Sequence, residues 1–329
     1  MISVICPFYN EASIIEAAIF RMLNNLATLG HPWELIVVND GSTDDSFALA
    51  QKLESEHRNL RVLGYTANRG RGFALRTGIA AARGEIVVTT EIDCSWGDDI
   101  VHRIADVMLK NPKIDMVIAS PNLPGGGYAH VPAGRVWVSR IGNMILRAAL
   151  NSRITMYTGM TRGYRRARFL ELPIDEDEKE FHLDVARKAL AFGFLIQEVP
   201  AWLTWQHDKL IKPGSAVRKT SSRMRKLMRT HLLFSMFAAP TRYIVPLALG
   251  ATLPATIFLV AAVYNLLRGA PSAFFLLTSL SLYLFGMILL LFAILTHQNV
   301  ATQQELWRLR SELKREREAA DGADKIERA

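Results

Sequence analysis

Short apolar runs alternate with amphipathic stretches through residues 1–120. The apolar runs are rich in Ile, Leu and Val, and segments of helical length separate them. This alternation predicts a mostly parallel β-sheet with helices on both faces. The predicted strands are Ile2–Cys6, Glu34–Val38, Leu60–Tyr65, Glu85–Thr90 and Asp115–Ala119. The predicted helices are Glu11–Leu29, Ser42–Glu56 (with Ser42 or Thr43 as its N-cap), Gly72–Ala82 and Asp98–Lys110.

The pattern between residues 121 and 200 is less regular. Gly and Pro dominate Pro121–Pro132, which predicts a loop. Beyond the loop we expect a helix over Val136–Leu150, an acidic stretch at Asp175–Glu180, a helix through Leu190 and a strand that ends at Pro200. These elements complete an α/β domain that we place at residues 1–208.

Two long stretches near the C-terminus contain no charged residue. They are Tyr243–Leu267 and Ala270–Thr296, and each exceeds the roughly 20 residues that a helix needs to cross a hydrocarbon core. Core helices of soluble proteins seldom run so long without a charge, and prolines like those of the first stretch are tolerated in membrane helices. The linker Arg268-Gly269 is too short for a domain, so we expect a transmembrane hairpin over residues 241–297.

Basic residues flank the predicted hairpin. Lys and Arg crowd Lys209–Arg229, and apolar residues recur there at helical spacing, so we expect interfacial helices over residues 209–240. A charged helix is predicted at Gln298–Ala320, within a C-terminal segment of residues 298–329. Because the hairpin tip carries only Arg268, the positive-inside rule places both flanks in the cytoplasm.

Composition and charge narrow the setting further. The 329 residues are 50% apolar and carry a formal net charge of +8, with much of the excess beside the hairpin. We therefore expect these basic residues to contact a membrane surface, and we expect no nucleic-acid partner. Met1 leads straight into an apolar strand without a basic segment, so no cleavable signal peptide is expected. The two cysteines, Cys6 and Cys94, are expected to be free thiols in a cytosolic domain.

Three polar motifs stand at the ends of predicted strands. The first strand is followed by Cys6-Pro7-Phe8-Tyr9-Asn10-Glu11, the second by Asn39-Asp40-Gly41-Ser42-Thr43-Asp44 and the fourth by Glu91-Ile92-Asp93-Cys94-Ser95. In an open α/β sheet, ligands bind in the crevice outside the carboxyl ends of the strands. The three motifs are therefore expected to converge on one ligand.

Asp40 and Asp93 are the candidate carboxylates of this crevice. An isolated Asp after a strand is usually a turn or cap residue. Two of them at strand ends in one half-domain favour a nucleotide-sugar site instead. Asp93 is a candidate ligand of Mg²⁺ or Mn²⁺, hard cations that take carboxylate and phosphate oxygens. Such an ion would neutralise charge on a departing nucleoside diphosphate.

The segment Asn68-x-Gly70-x-Gly72-x-Ala74 opens the third predicted helix. A dinucleotide pattern would need Gly or Ala at Leu75 and would follow the first strand, so a nicotinamide cofactor is not expected. The small residues allow the backbone to approach either a ligand or a neighbouring element, and the sequence leaves both interpretations open.

These motifs resemble those of the inverting family 2 glycosyltransferases, which have a GT-A fold. The resemblance covers Pro7–Glu11, Asn39–Asp44, Asn68–Ala74 and Asp93, and it continues through Arg162–Arg166 and Glu198–Pro200 into the two-span anchor. Within the family, the chain is most similar to dolichyl-phosphate mannose synthases and bacterial polyprenyl-phosphate glycosyltransferases. The resemblance implies an α/β GT-A nucleotide-diphospho-sugar transferase fold followed by a transmembrane hairpin.

The resemblance also implies roles for individual residues. The donor nucleotide would be held by Pro7, Tyr9, Glu11, Val38, Asp40, Asp93 and Cys94. The family's DxD motif places a second carboxylate at Ser95, where this chain has a hydroxyl. Glu91, on the same face of an extended strand as Asp93, is the first candidate for a substitute metal ligand, and Asp98 or Asp99 across the turn are the alternatives. An Arg of the mannose synthases falls at Pro121, so the identity of the donor sugar does not carry over.

A lipid phosphate is the acceptor that this resemblance implies. Its second pKa is about 6, so it is already an anionic nucleophile near neutral pH and needs little help from a base. We therefore interpret Asp175–Glu180 as a solvated loop rather than as the source of a general base. Basic residues would hold the phosphate through charge-assisted contacts, and attraction to lipid headgroups is the alternative for each of them. The candidates are Arg162, Arg165, Arg218 and Lys219, and Arg162 joins Asp93 as an expected catalytic residue.

The sequence thus predicts an integral membrane enzyme with a cytoplasmic catalytic domain, in a bacterial inner membrane rather than the endoplasmic reticulum. It would transfer sugar from a nucleotide-sugar donor to a polyprenyl phosphate. A single sugar is expected rather than an elongating chain, because the Gln-x-x-Arg-Trp motif of processive synthases is absent. Two alternatives stay open: another lipid acceptor, and a degenerate domain without catalysis. The subunit count is also open, with a homo-oligomer as one option.

Overall fold

Strands and helices alternate along the first part of the chain, as seen in a computed structural model of the protein. The structure describes residues 1–150, 152–174, 176–178, 180–205, 236 and 239–327. The chain divides into two compact units, and most of the α/β domain lies in one of them. The apolar parts of two long C-terminal helices lie in the other.

A seven-stranded mixed sheet organises the α/β domain. Its strands are Ile2–Phe8 (β1), Trp33–Asp40 (β2), Leu60–Tyr65 (β3), Ile86–Thr89 (β4), Met116–Ser120 (β5), Arg162–Arg165 (β7) and Ile196–Pro200 (β8). A separate two-stranded ribbon pairs Gly127–Ala129 (β6) with Trp202–Thr204 (β9). The order in the large sheet is β3-β2-β1-β4-β7-β5-β8. β7 is antiparallel to both of its neighbours, and the other pairs are parallel.

Helices cover both faces of this sheet. They are Ile15–Leu26 (α1), Ser46–Glu56 (α2), Arg71–Ala81 (α3), Ile100–Lys110 (α4), Ala133–Leu150 (α5), Arg166–Leu170 (α6) and Phe181–Ala191 (α7). Successive residues of a strand point to opposite faces. In β1, the Cys6 thiol lies 3.5 Å from the Met22 sulfur of α1, whereas a Cβ added at Gly78 of α3 would meet Ile5. The apolar strands are therefore buried on both sides.

The strands and helices predicted for residues 1–120 are confirmed, with shifts at their ends. α1 and α2 begin about one turn later than predicted, at Ile15 and Ser46. Ser42 and Thr43 are not N-caps, because Asp45 occupies the N-cap position of α2. The Ser42 hydroxyl instead accepts the Asn10 N–H (3.0 Å) in the preceding loop. The predicted loop at Pro121–Pro132 also differs, since it contains β6.

The glycines that open α3 allow another segment to pack closely. A Cβ at Gly72 would lie 2.7 Å from the Cβ of Phe181 and 2.8 Å from the carbonyl oxygen of Asp177. That carbonyl accepts the N–H groups of Gly72 (2.8 Å) and Phe73 (3.2 Å). The structure supports the second interpretation of this motif, close approach of a neighbouring element, and Asp177 of the acidic stretch is packed against α3 rather than fully solvated.

Two long helices follow, Thr241–Leu267 (α8) and Ala273–Glu327 (α9). By length and composition both are able to cross a membrane, and only 11% of the most apolar window of each is buried, unlike a soluble core helix. The Ser279 hydroxyl donates to the Ala255 carbonyl (2.9 Å), and the hydroxyls of Thr256 and Tyr283 lie 2.8 Å apart. These contacts join α8 and α9 into an antiparallel hairpin.

The segments around the hairpin differ from the prediction or lie outside the described residues. The charged helix predicted at Gln298–Ala320 is the continuation of α9 rather than a separate element. The interfacial helices predicted over 209–240 fall almost entirely on residues outside the described part of the chain. They stay a prediction.

Candidate active site

The three polar motifs lie side by side at one edge of the large sheet. β2, β1 and β4 are neighbours and run parallel, so their carboxyl ends open onto the same crevice. Phe8 pairs with Asn39 in register, and the Thr90 N–H donates to the Ile5 carbonyl (3.0 Å) beyond the end of β4. The structure thus brings together the three motifs that the sequence places at strand ends.

The second motif and the start of α2 hold the backbone of the first motif. Asn10 has a left-handed φ of 53°, and its N–H donates to the Ser42 hydroxyl (3.0 Å). The Glu11 N–H donates to the Ser46 hydroxyl (2.8 Å). These bonds fix the loop that carries Tyr9, whose side chain is 44% exposed. An exposed aromatic ring on a fixed loop is suited to stack on a flat ligand.

Asp40 joins the ends of β2 and β3. It is only 6% exposed, and its Oδ1 accepts the Tyr65 hydroxyl (2.7 Å) and the Arg69 N–H (2.9 Å). Burial and the Asp40 carboxylate raise the pKa of Tyr65, so this phenol remains a hydrogen-bond donor. In the described part of the chain, every hydrogen bond to the Asp40 carboxylate uses Oδ1. Asp40 therefore has one oxygen engaged in the fold and one that a ligand is able to use.

Two predicted donor-binding side chains contact helices of the fold or line a cavity beside them. Val38 is fully buried, and a Cβ at Gly78 of α3 would lie 3.1 Å from its Cγ2. Cys94 lines a small cavity with Met22 of α1 and Val101 of α4. Burial raises the pKa of the Cys94 thiol to about 11, so it stays protonated near neutral pH. The structure does not support side-chain contacts from these two residues to a donor, although both cysteines are free thiols as predicted.

Glu91, Asp93 and Ser95 form a compact polar cluster after β4. The Ser95 hydroxyl lies 2.6 Å from Glu91 Oε2 and 2.7 Å from Asp93 Oδ1. The Ser95 N–H donates to the same Asp93 oxygen (3.1 Å). Asp93 and Ser95 are 6% and 3% exposed. The two carboxylates that the sequence assigns to a metal are thus held together by the hydroxyl that replaces a carboxylate of the family's motif.

This cluster fits a divalent cation that completes its coordination with substrate. The described residues contain no group of three or more His, Cys, Asp or Glu side chains able to hold an ion on their own. Mg²⁺ is usually bound by one or two carboxylates together with substrate phosphates. Glu91 and Asp93 supply that number and that type of ligand.

Two neighbours of the cluster were not predicted from the sequence. Arg71, the first residue of α3, has its Nη1 3.9 Å from Glu91 Oε1, and its side chain is 50% exposed. The Thr204 N–H donates to the Ser95 carbonyl (2.8 Å) and so ties β9 to the cluster. Neither residue belongs to a recognisable motif, since only the packing of α3 and β9 near β4 brings them here.

Arg162 is not available to an acceptor phosphate. It is 0% exposed, and its guanidinium donates to the carbonyls of Gly159 (2.8 Å), His182 (3.0 Å) and Tyr157. Burial lowers its pKa from the ordinary value. The structure contradicts the predicted catalytic and phosphate-binding roles, because Arg162 instead joins the segment before β7 to the start of α7.

Arg165 lies at the opposite edge of the sheet from the crevice. It pairs with Ile86, the first residue of β4, because β7 runs antiparallel to that strand. Its guanidinium donates to the Glu85 carboxylate (3.0 Å) and the Met108 carbonyl (2.8 Å). The structure therefore contradicts the predicted phosphate contact from Arg165. Arg218 and Lys219 lie outside the described residues, and their role stays a prediction.

Two described acids between residues 176 and 184 pair with basic side chains of the fold. Asp184 is 2% exposed and pairs with Lys188 (2.8 Å) and Arg187 (3.0 Å). The Asp177 carboxylate contacts Arg76. Burial, with the nearby carboxylates of Asp184 and Glu180, raises the pKa of Glu176. Asp175 lies outside the described residues. The paired acids of this stretch are poorly placed to act as a general base.

The fold and the crevice define a glycosyltransferase of the GT-A type, with a mostly parallel sheet and polar loops at its carboxyl edge. Comparison with protein families agrees: the profile of glycosyl transferase family 2 matches residues 3–172. The chain belongs to glycosyl transferase family 2.

Individual relatives are sugar transferases. The polyprenol monophosphomannose synthase of Mycolicibacterium smegmatis is 27% identical over 224 residues, which cover 66% of this chain and 82% of that protein. The undecaprenyl-phosphate 4-deoxy-4-formamido-L-arabinose transferase of Pectobacterium carotovorum is 26% identical over 166 residues, 50% of this chain and 49% of that protein. The dolichol-phosphate mannosyltransferase of Pyrococcus furiosus is 30% identical over 149 residues, 45% of this chain and 41% of that protein. The match thus spans half or less of the latter two relatives.

Solved structures support the fold. Glucosyl-3-phosphoglycerate synthase from Mycobacterium tuberculosis, in complex with phosphoglyceric acid, superposes with a TM-score of 0.54 at 20% identity, over 73% of this chain and 80% of that one. The same enzyme in complex with Mn²⁺, UDP and glucosyl-3-phosphoglycerate gives a TM-score of 0.53 at 20% identity, with the same coverage. At this identity the likeness concerns the fold alone.

Proposed function

We propose that this glycosyltransferase transfers one sugar from a nucleotide-sugar donor to a polyprenyl phosphate, with inversion at the anomeric carbon. The observation that carries the proposal is the meeting of Asp40 and the Glu91–Asp93 pair at one sheet edge, in a chain with two membrane-length helices. The relatives support it as well, because their names specify polyprenol, undecaprenyl phosphate and dolichol phosphate.

Each part of the donor has residues suited to hold it. Asp40 and Glu11 offer carboxylates to the nucleoside, and the exposed Tyr9 ring, next to the half-buried Pro7, offers it a flat surface. The metal ligands would be Glu91 and Asp93. A bound Mg²⁺ or Mn²⁺ would supply positive charge against the departing diphosphate.

The chemical step requires little acid–base catalysis. A phosphate oxygen of the acceptor bonds to the anomeric carbon, the bond from that carbon to the donor diphosphate breaks, and its electron pair leaves with the nucleoside diphosphate. Attack opposite the leaving group inverts the configuration. Because the second pKa of the acceptor phosphate is about 6, the nucleophile is anionic near neutral pH. A hydroxyl acceptor would need a base, and the paired state of Asp184 and Asp177 argues against it.

The acceptor is tested with a short prenyl phosphate and the matching prenol, which differ only in the phosphate. We expect the full chain in detergent to transfer labelled sugar from one member of a nucleotide-sugar panel to the prenyl phosphate and not to the prenol. Label in the organic phase measures the transfer. Equal transfer to both compounds would favour a hydroxyl acceptor, and no transfer from any donor would favour the non-catalytic alternative.

The catalytic domain is proposed to face the cytoplasm of a bacterial inner membrane. The hairpin returns the chain to its starting side, and the basic flanks set the sense of insertion. A cysteine introduced at Gly269 should react with a membrane-impermeant thiol reagent added outside intact cells. A cysteine at Arg310 should react only after the cells are opened, and the reverse pattern would contradict both the topology and a cytosolic donor.

A further inference from the structure

A stripe of leucines is exposed on the last part of α9. Leu306, Leu309 and Leu313 are 49%, 54% and 56% exposed, although the helix around them is rich in Arg, Lys, Glu and Gln. Their spacing of three and then four residues places them on one side of the helix. Apolar residues at this spacing on an otherwise charged helix form the seam along which two helices pack. The leucine stripe is therefore a surface suited to a second helix.

The α/β domain contacts α9 on a different side of the helix. The centroid of the Trp307 ring lies 4.6 Å from Arg187 Cζ and 5.2 Å from Lys188 Nζ, and both basic residues belong to α7. The Arg308 guanidinium donates to the carbonyl of Ala191, the last residue of α7 (3.3 Å). These contacts fix the rotation of α9 relative to α7, and they leave the leucine stripe exposed.

A lipid surface does not reach the outer part of the stripe. Leu313 lies 17 residues beyond Thr296, where the uncharged stretch ends. A helix of that length that leaves the membrane along its normal extends about 25 Å past the hydrocarbon core. The headgroup layer is only about 5–8 Å thick on each side. The occupant of the stripe is therefore a protein rather than lipid.

We propose that the leucine stripe joins two copies of this chain as a parallel two-helix coiled coil. The charges beside the stripe favour this occupant. In a parallel pair, the residue before the first leucine faces the residue five positions further along in the partner. Glu305 would thus face Arg310 of the second copy, twice by symmetry, and both side chains are exposed. The sequence repeats this spacing with Glu312 and Arg317.

The same charges select the orientation of the pair. In an antiparallel pair Glu305 would face the acidic position of the other copy, and Arg310 its basic position, so like charges would meet. The hairpin also requires parallel helices, because two copies inserted with one topology are related by a two-fold axis along the membrane normal. Asn299, exposed and seven residues before Leu306, would face its own copy and fix the register.

The membrane anchors make so short a seam sufficient. Helices of fewer than about 12–15 residues are marginal in water on their own. Two anchored copies, however, are confined to one surface with their helices aligned, which raises the effective concentration of each seam for the other. The inference does not depend on the proposed reaction. It rests on the hairpin as a membrane anchor.

Disulfide cross-linking in membrane vesicles tests the seam. Two cysteines at position 309 would face each other in the pair, whereas two at position 304, on the outer side of the helix, would be too far apart to bond. Leu309→Cys should therefore form covalent dimers on mild oxidation. The matched control Gln304→Cys, which is also an exposed position, should not, and neither should the wild-type chain with Cys6 and Cys94. Equal cross-linking at both positions, or none at 309, would overturn the inference.

Dissociation of the full chain in detergent, measured by energy transfer between labelled copies, tests the leucines and the charges separately. Replacing both Leu309 and Leu313 by alanine should weaken the dimer by at least about 100-fold. Glu305→Arg should weaken it by about three- to tenfold, and the added change Arg310→Glu should restore it. A double charge reversal as weak as the single one would contradict the pairing, and wild-type association of the alanine variant would contradict the seam. Neither experiment measures sugar transfer, so their failure would leave the proposed acceptor untouched.

Discussion

Replacement of Arg162 by methionine is expected to destabilise the α/β domain by at least about 2–3 kcal/mol, because three buried carbonyl oxygens lose their donors. The methionine side chain fills much of the volume that the arginine occupied. The loss of stability therefore reflects the missing hydrogen bonds and charge rather than a cavity. For a domain of this size, the melting temperature should fall by about 5–10 °C. Thermal unfolding of the full chain in detergent measures the effect.

Arg21 provides the control for this substitution. Its guanidinium also bonds a partner, the Asp98 carboxylate at 2.7 Å, but both side chains are about half exposed (46% and 51%). Arg21→Met should therefore cost less than about 1 kcal/mol. An Arg162→Met protein with the wild-type melting temperature and a raised KM for the prenyl phosphate would contradict the structural role and restore Arg162 as a phosphate ligand.

Asp93→Asn is expected to lower kcat by about 100- to 1000-fold while the fold stays intact, since the charge that would face the metal and the diphosphate is lost. The amide keeps the shape and an acceptor oxygen at the Oδ1 position, so the bonds from the Ser95 hydroxyl and N–H are retained. Steady-state kinetics with saturating donor, paired with a melting curve, separate loss of catalysis from loss of structure.

Asp99 is the control for the aspartate substitution. It lies six residues along the chain, directly before α4, and its side chain is 68% exposed. Within the described residues, the one ion pair of its carboxylate is a long contact with Arg103 (3.4 Å). Asp99→Asn should leave kcat unchanged. Unaltered turnover in Asp93→Asn, or full wild-type activity in excess chelator, would reject the metal role of Asp93.

The strand-end motifs show what a sequence is able to predict about such a site. Apolar runs of strand length fix where β1, β2 and β4 end, and parallel strands share one carboxyl edge, so the sequence alone predicts that Asp40 and Asp93 lie at the same crevice. Local pattern and general topology suffice for that inference. The Ser95 bridge was not predicted, because it depends on how the turn after β4 brings three side chains together.

The basic residues show where sequence reasoning fails. Arg162 and Arg165 are three positions apart and were both expected to face a phosphate, but β7 is inserted antiparallel between β4 and β5. Because of this long-range pairing, Arg165 lies at the edge of the sheet opposite the crevice, and Arg162 is buried against α7. An arginine is almost never fully buried without partners, so exposure was the natural expectation. Arg162 is able to be buried because backbone carbonyls of other segments accept its hydrogen bonds, and a local sequence pattern does not predict these contacts.

Isotope tracing tests most directly whether the lipid phosphate is the nucleophile. The full chain would be incubated with its nucleotide sugar and a prenyl phosphate whose three terminal oxygens are ¹⁸O. The masses of the lipid product and of the released nucleotide would then be measured by mass spectrometry. We predict a lipid that carries one sugar through a single phosphate and retains all three ¹⁸O atoms, with an unlabelled nucleoside diphosphate released. A sugar attached to the prenol with loss of labelled phosphate, or a diphosphate-linked lipid with release of a nucleoside monophosphate, would contradict the account.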